Sequence, residues 1–183
     1  MLFFSKALSP YALGQLLMLS SVVLGLVRAC PENEVVQLVE TFIGKDRNVK
    51  VEQYACSGAV EAPKFQARQV NETNVCGSSC VTHCFPPAGG GPLAGECNVI
   101  ADALRYESQN TGALFRIGTG VNATITMTYR SCKTFFVNQD FNGLIYCRTE
   151  WAALVDWLST GCGAAQNAHG GLCVASNQLW FVQ

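Results

Sequence analysis

Residues 74–97 have the sequence NVCGSSCVTHCFPPAGGGPLAGEC, which contains four cysteines, one histidine, five glycines and three prolines. Structural zinc sites usually place two cysteines in a C-x2-C pattern, whereas three residues separate Cys76 from Cys80 and Cys80 from Cys84. The alternative is a metal site that uses His83 beside Cys84. The spacing favours a disulfide framework, with no bound metal and no cofactor.

The first residues indicate an exported chain. Lys6 precedes an apolar segment that ends near Val27, and Val27 and Ala29 stand where a signal peptidase requires small side chains. We therefore expect residues 1–29 to be a signal peptide and the protein to be secreted and extracellular. No later segment is long and apolar enough to span a bilayer, so we expect no membrane span.

The cysteine count agrees with export. All ten cysteines follow the predicted signal peptide, and an even number in a secreted chain predicts that they form disulfides. Each disulfide typically stabilises a small domain by about 2–4 kcal/mol. The predicted disulfide cysteines are Cys30, Cys56, Cys76, Cys80, Cys84, Cys97, Cys132, Cys147, Cys162 and Cys173.

The charge balance argues against a polyanionic partner. The first 29 residues contain Lys6 and Arg28 and no acid, so the remaining chain keeps 10 of the 12 basic residues and all 13 acidic ones, a net charge of −3. Nucleic-acid binding requires clustered lysine and arginine, so we expect no nucleic-acid partner. A polar surface with few charges suits uncharged ligands or attached sugars.

Residues 30–75 form an N-terminal extension. In ENEVVQLVETFIG the apolar residues recur at i, i+3, i+4 and i+7, which predicts a helix over residues 35–42, and NVKVEQYAC alternates as a strand does. A bridge between Cys30 and Cys56 would make this unit self-contained. Residues 57–75 have no periodicity and are interpreted as a linker. Arg68 in this linker is a candidate processing site that would make residues 30–68 a propeptide.

Residues 76–183 form the main domain. ECNVIADALRYESQN predicts an amphipathic helix that Cys97 tethers and that stops at Gly112. VNATITMTYR alternates apolar residues with threonines, which predicts a half-buried strand of an antiparallel sheet, with ALFRI and CKTFFVNQ as its partners. A second helix is expected from Thr149 to Gly161, followed by one C-terminal strand in CVASNQLWFVQ. The predicted fold is α+β, a single-domain αβ sandwich with an antiparallel sheet and two main helices, stapled by disulfides.

Two features suggest a ligand-binding site. The loop between Cys162 and Cys173 contains Gln166, Asn167 and His169 next to glycines, a composition suited to hydrogen-bonded recognition, although a loop histidine can equally bond its own backbone. Sugar rings stack on aromatic side chains, and Trp157, which lies off the apolar stripe of the second helix, and Tyr106 are the candidates. Trp180 and Tyr146 are further aromatic candidates, and core packing is the alternative role of each ring.

Two sequons, at Asn71 and Asn122, predict N-glycosylation. No nucleophile elbow, metalloprotease motif or phosphate loop is present, so we expect a protein that is not an enzyme. Catalysis would have to use a pair of carboxylates or the two histidines, His83 and His169. The candidate carboxylates are Asp102, Glu107, Glu150 and Asp156.

Several motifs carry a resemblance to a known family. CGSSCVTHCFPPAGGGP, ECNVIADALRYESQNTGALF, SCKTFFVNQ, YCRTEWAALVDWL, QNAHGGLC and WFVQ together resemble the secreted cysteine-rich glycan-binding lectin of ink-cap mushrooms and its relatives in mushroom-forming fungi. The resemblance covers residues 76–183 and leaves the extension outside. It implies a single-domain αβ sandwich that binds glycans on glycoproteins or cell surfaces, in defence or recognition.

A looser likeness leads to the alternative function. A helix beginning near a cysteine, a strand cysteine followed by aromatic residues and a late Gly-Gly-x-Cys are similar to features of fungal necrosis-inducing effectors and virally encoded killer toxins. That likeness implies a secreted effector or killer-type toxin that acts on other cells. A small ribonuclease or glycosidase is the third hypothesis.

Overall fold

The computed structural model describes residue 30 and residues 35–57, 72–85 and 90–183. The predicted signal peptide, the processing site Arg68 and the sequon Asn71 lie outside these residues. The strands are β1 (Val36–Ile43), β2 (Val49–Cys56), β3 (Thr73–Asn74), β4 (Cys80–Cys84), β5 (Leu114–Ile117), β6 (Thr124–Tyr129), β7 (Cys132–Asn138), β8 (Leu144–Cys147), β9 (Gly171–Ala175) and β10 (Trp180–Val182). The helices are α1 (Ala94–Asn110) and α2 (Arg148–Trp157), and α2 continues into a wider π-helical segment, Leu158–Ala164.

Seven strands form one antiparallel sheet in the order β1-β2-β6-β7-β10-β9-β4. The other three form a small sheet in the order β3-β8-β5, where β3 and β8 run parallel. Helices α1 and α2 pack on each other, and α1 also contacts β6 and β7. The predicted disulfide-stapled α+β fold with two helices is therefore confirmed.

The core is built around an aromatic cluster. Phe136 stacks on Trp180 with ring centroids 5.4 Å apart, and Tyr146 and Trp151 pack against the same phenyl ring. The Trp151 indole N–H donates to Thr134 Oγ1 at 3.0 Å, so the one polar atom of this ring is satisfied inside the core. These rings join β7, β8, β10 and α2 into one buried unit.

Five disulfides pair all ten cysteines, as predicted from their even number. The bridge between Cys30 and Cys56 is one of them, and Cys97 ties the first turn of α1 to the start of β7. The other three all begin in the segment 76–84 and connect β4 and the loop before it to β8, β9 and the π-helical segment. Their pairs are Cys76–Cys147, Cys80–Cys173 and Cys84–Cys162.

The helix predicted over residues 35–42 is wrong, because this segment is β1. It pairs with β2 along all eight residues, from Val36 opposite Cys56 to Ile43 opposite Val49. Valine, threonine, phenylalanine and isoleucine favour extended backbone, and Val36, Leu38 and Phe42 fall on one face of a strand. The strand predicted in residues 49–56 is β2, and it also pairs with β6 from Lys50 to Gln53. The extension therefore contributes two strands to the main sheet and is not self-contained.

Four further predictions need correction. ALFRI is β5, and it pairs with β8 in the small sheet instead of with β6. The other predicted partner, CKTFFVNQ, is β7 and pairs with β6 as expected. The C-terminal segment forms two strands, β9 and β10, joined by a turn in which Gln178 has φ +60°. The second helix has Cys147 as its N-cap instead of Thr149, and it continues past Gly161 because the π-helical turn accommodates that residue.

In the part of the chain that the structure describes, no helix is both long enough and apolar enough to cross a membrane.

Substitution of Gly44 tests how closely the hairpin of β1 and β2 packs on α1. Gly44 has φ +88°, and a Cβ atom there would lie 2.9 Å from Cβ of buried Ala103. We expect Gly44→Ala to lower the free energy of unfolding by about 1–3 kcal/mol, because the left-handed φ and the steric clash both penalise a side chain. Urea denaturation of the oxidised protein measures the change.

Gly95→Ala is the matched control. Gly95 lies near the start of α1, and a Cβ atom there would meet no heavy atom within 4 Å. Because alanine forms helices better than glycine, we expect this variant to be as stable as the unsubstituted protein or slightly more stable. Equal stability of the two variants would show that the hairpin does not pack on α1.

Candidate ligand-binding groove

Trp157 is an exposed aromatic residue whose ring is held in place. It is the last residue of α2, and 56% of it is exposed. Its indole N–H donates to Thr82 Oγ1 on β4 at 3.3 Å. The ring also lies over Gly161, where a Cβ atom would come within 3.3 Å of indole Cε2, so the glycine makes this close approach possible. Contacts from two elements therefore fix the orientation of a large, solvent-facing ring.

A cavity of about 440 Å³ lies beside this ring, between α2 and β4, and we call it the Trp157 cleft. Glu150 lines it, and its Oε2 accepts a hydrogen bond from the Gly77 N–H at 2.8 Å. Gly77 has φ +83°, so this loop conformation favours glycine. The cleft is lined by Gly77, Ser78, Ser79, Cys80, Thr82, Tyr146, Glu150, Ala153, Leu154, Trp157 and Cys173.

Tyr146 contributes a phenol to the cleft. Burial, and secondarily the nearby Glu150 carboxylate, raise the pKa of Tyr146 above its ordinary value. Both causes disfavour the phenolate, so the hydroxyl stays protonated at neutral pH and remains a hydrogen-bond donor. The cleft thus combines an aromatic face with hydroxyl groups and one carboxylate.

His169 lies in a different cavity, which we call the His169 cleft. Its volume is about 580 Å³, and its floor includes the buried side chains of Val155 and Leu158. The His169 ring lies 5.7 Å from that of Phe85, and Lys133 is the other charged or titratable side chain among the described residues that line the cleft.

The predicted site residues are therefore not brought together. Trp157 and His169 line separate clefts, and Gln166 and Asn167 are exposed in the loop beside His169 without lining either one. Asn167 adopts φ +52°, which places it in a tight turn. Tyr106 is partly exposed on α1 and lines neither cleft.

The polar partners of Trp157 are not among the residues that the sequence predicts to bind a ligand. Thr82 lies 75 residues from Trp157 in the chain, and Ser78 and Ser79 belong to the cysteine-rich loop, which was interpreted as scaffold only. The alternation of Cys80, Val81 and Thr82 is a strand signal that would have placed the threonine on the same face as the cysteine.

Three of the four carboxylates proposed for catalysis bind groups outside the two clefts. Asp102 and Asp156 both bind the Arg105 guanidinium. Glu107 accepts a hydrogen bond from the Gly44 N–H at 3.2 Å, which leaves Glu150 as the one that lines a cleft.

The other proposed catalytic and modification sites are also placed by the structure. His83 is exposed on β4 and does not line the His169 cleft. Asn122, the sequon inside the described residues, is half-buried beside Gly118, and its Oδ1 atom is buried. One group of potential metal ligands occurs in the described ranges, formed by Cys76, Cys147 and Glu150. Its two sulfur atoms form a disulfide and offer no thiolate, so these residues do not fit a metal.

Comparison with protein-family models, with curated proteins and with solved structures found no match to this chain.

The exposure of Trp157 predicts that this residue contributes little to stability. We expect Trp157→Ala to lower the free energy of unfolding by at most about 1 kcal/mol, because one hydrogen bond at the surface is lost. Trp151 is fully buried, so Trp151→Ala is expected to cost about 3–5 kcal/mol. Thermal and urea denaturation of the two variants make the comparison. A loss for Trp157→Ala as large as that for Trp151→Ala would assign the exposed ring a structural role.

Proposed function

We propose that the protein is a secreted, lectin-like carbohydrate-binding protein that recognises glycans on glycoproteins or cell surfaces through the Trp157 cleft. The observation that supports this best is the Trp157 ring itself, which is more than half exposed and yet fixed by Thr82 and Gly161. A stability role does not require a tryptophan at this position. A ring held ready at the edge of a polar cleft is what stacking against a sugar requires.

The chemistry of the cleft matches that of a sugar. The apolar C–H face of a pyranose packs on an indole, while its hydroxyls need donors and acceptors around the ring edge. Ser78 and Ser79 offer hydroxyls that both donate and accept, and Glu150 accepts. Binding therefore replaces the water that these groups hold with hydroxyls of the same hydrogen-bonding capacity.

The number of carboxylates supports binding over hydrolysis. A glycosidase of the common type uses two carboxyl groups, about 5–5.5 Å apart in retaining enzymes and about 6.5–9.5 Å apart in inverting ones. Among the described residues that line the Trp157 cleft, Glu150 is the one acid, and its Oε2 already accepts the Gly77 N–H. A lone carboxylate fits hydrogen bonding to a sugar hydroxyl.

Secretion is part of the same proposal. Five disulfides formed by all ten cysteines fit an oxidising compartment. The first 29 residues have the charge and apolar pattern of a signal peptide. Glycans on cell surfaces are the partners that a protein in that compartment meets.

A glycan array with the oxidised mature protein tests the proposal. We expect selective binding to a limited set of glycans, a loss of at least about tenfold in affinity for Trp157→Ala, and partial retention for Trp157→Phe, because a phenyl ring keeps a smaller stacking face. His169→Ala is the matched control and should bind as the unsubstituted protein does, because His169 lines the other cleft.

Two results would contradict the proposal. A blank array across fungal, insect and animal glycans would remove the function. Loss of binding in His169→Ala, with full binding in Trp157→Ala, would move the site to the His169 cleft. Because Trp157 is expected to contribute little to stability, reduced binding of its variants is not explained by unfolding.

A second candidate function is that of a secreted effector or killer-type toxin, favoured by an apolar surface on the hairpin. Val36, Leu38 and Phe42 alternate along β1 and lie on one face of the sheet, with Tyr54 opposite Leu38 on β2. All four side chains are exposed, and exposed apolar side chains on one face are typical of contact with another molecule. The ion pairs of Lys50 with Glu40 and Glu52 separate Phe42 from the other three on this face.

This candidate makes a different prediction. If the hairpin surface acts on target cells, the purified protein should inhibit them even in excess free sugar, and Phe42→Ser should reduce the inhibition while Trp157→Ala does not. Growth of competitor fungal cells is the readout. Inhibition that free sugar or Trp157→Ala abolishes would instead assign the effect to glycan binding.

A further inference from the structure

A second cavity adjoins the Trp157 cleft. It has a volume of about 270 Å³, and we call it the Trp180 cavity. Two of its lining residues, Ser78 and Ser79, also line the Trp157 cleft, so the two spaces meet along the loop that precedes β4. The remaining lining residues are Ala175, Ser176, Asn177 and Trp180.

Trp180, which lines this cavity, has an indole N–H without a hydrogen-bond acceptor among the described residues. The residue is fully buried, and its Nε1 atom has no hydrogen-bond partner among the residues that the structure describes. The other two tryptophans differ, because Trp151 donates to Thr134 and Trp157 donates to Thr82. A buried N–H without an acceptor is unfavourable. The Nε1 atom is itself buried, so a ligand oxygen would have to displace part of the cavity wall to reach it and remove that penalty.

The strand register sets the distance between the two spaces. Thr82 lies opposite Cys173 at the Trp157 end, and Cys80 lies opposite Ala175 at the Trp180 end. Two residue steps along a strand span about 7 Å, and the three steps from Ser79 to Thr82 span about 10 Å. The combined groove is therefore long enough for two linked pyranose rings along β4.

Hydroxyl groups line the wall that the Trp157 cleft and the Trp180 cavity share. Ser79 Oγ and Ser176 Oγ lie 3.3 Å apart, and either can donate to the other. Ser176 Oγ is also 3.4 Å from the Ser79 carbonyl oxygen. Because each hydroxyl can rotate, this pair can give up its mutual bond and bind a sugar hydroxyl instead.

We propose that the Trp157 cleft and the Trp180 cavity are two adjoining subsites for a neutral oligosaccharide of at least two sugar units. The first unit stacks on Trp157, and the second places an oxygen atom on the Trp180 N–H, beside Ser79 and Ser176. This inference rests on the proposed carbohydrate-binding function and adds the size and charge class of the ligand.

The charge class follows from the lining residues. Within the described ranges, Glu150 is the one charged side chain that lines either space. A sialylated or phosphorylated sugar would place its negative charge near this carboxylate, with no lysine or arginine from the groove to offset it. Neutral sugars meet no such repulsion.

Calorimetric titration with neutral oligosaccharides of one to four units tests the second subsite. The probes are glucose, mannose and N-acetylglucosamine and their linear oligomers. For the series that binds, we expect the two-unit member to bind about tenfold or more tightly than the single unit, with little further gain at three and four units. Ser176→Ala should reduce that gain by about threefold or more and leave single-unit affinity unchanged. Ser108→Ala, on α1 outside both spaces, is the matched control and should change neither.

The Trp180 N–H gives a second, direct readout. In ¹⁵N-labelled protein, the two-unit sugar should shift the indole N–H resonance of Trp180, whereas the single unit should shift that of Trp157 alone. The resonance of Trp151, which donates to buried Thr134, is the internal reference. Trp180→Phe assigns the peak, and if that core variant fails to fold, the spectra of Trp151→Phe and Trp157→Phe assign it by elimination.

The outcomes separate this inference from the proposed function. If no neutral or acidic sugar binds, the proposed function fails. If single units bind through Trp157 and longer chains bind no more tightly, the second subsite is overturned and the proposed function stands. A Trp180 resonance that does not move while the two-unit sugar binds would also overturn the second subsite, as would tighter binding of acidic sugars than of neutral ones.

Discussion

The covalent attachment of β4 is the constraint on which the groove depends. Among the residues that the structure describes, β4 is the edge strand of the main sheet and pairs with β9 alone, so backbone pairing holds it from one side. Three disulfides from the segment 76–84 anchor it to β8, β9 and the π-helical segment. They are Cys76–Cys147, Cys80–Cys173 and Cys84–Cys162. Because one wall of the groove is β4 and the other is α2, these bridges set the distance between Thr82 and Trp157.

These bridges also bear on the cost of binding. The three bridges close segments of 71, 93 and 78 residues. By lowering the entropy of the unfolded chain, each one taken alone would raise the free energy of unfolding by roughly 4 kcal/mol, and the three contributions do not simply add. A framework tied in this way keeps Ser78, Ser79 and Thr82 in place before a ligand arrives. Little conformational entropy is then lost on binding, which matters for a shallow site that offers few contacts.

The sequence predicts the fold class better than the site. The alternation in residues 124–129 and the apolar stripe through Cys97, Ile100 and Leu104 are local patterns, and both elements form where expected. In residues 35–42 the apolar spacing matches a helix while the residue types favour a strand, and pairing with β2 decides between them. The neighbour of β5 and the meeting of Thr82 with Trp157 depend on contacts distant in sequence, which no local period encodes.

The three tryptophans show why burial alone does not identify a functional residue. Trp151 and Trp180 are both fully buried, and both pack on Phe136 in one aromatic cluster. Their indole N–H groups differ. That of Trp151 donates to Thr134, whereas that of Trp180 has no acceptor among the described residues. Buried donors are usually satisfied, so the open N–H of Trp180 is the group through which the proposed second subsite would make its hydrogen bond. If the proposed second subsite binds a sugar, a ligand oxygen on this N–H would stabilise the folded protein as well as contribute to binding.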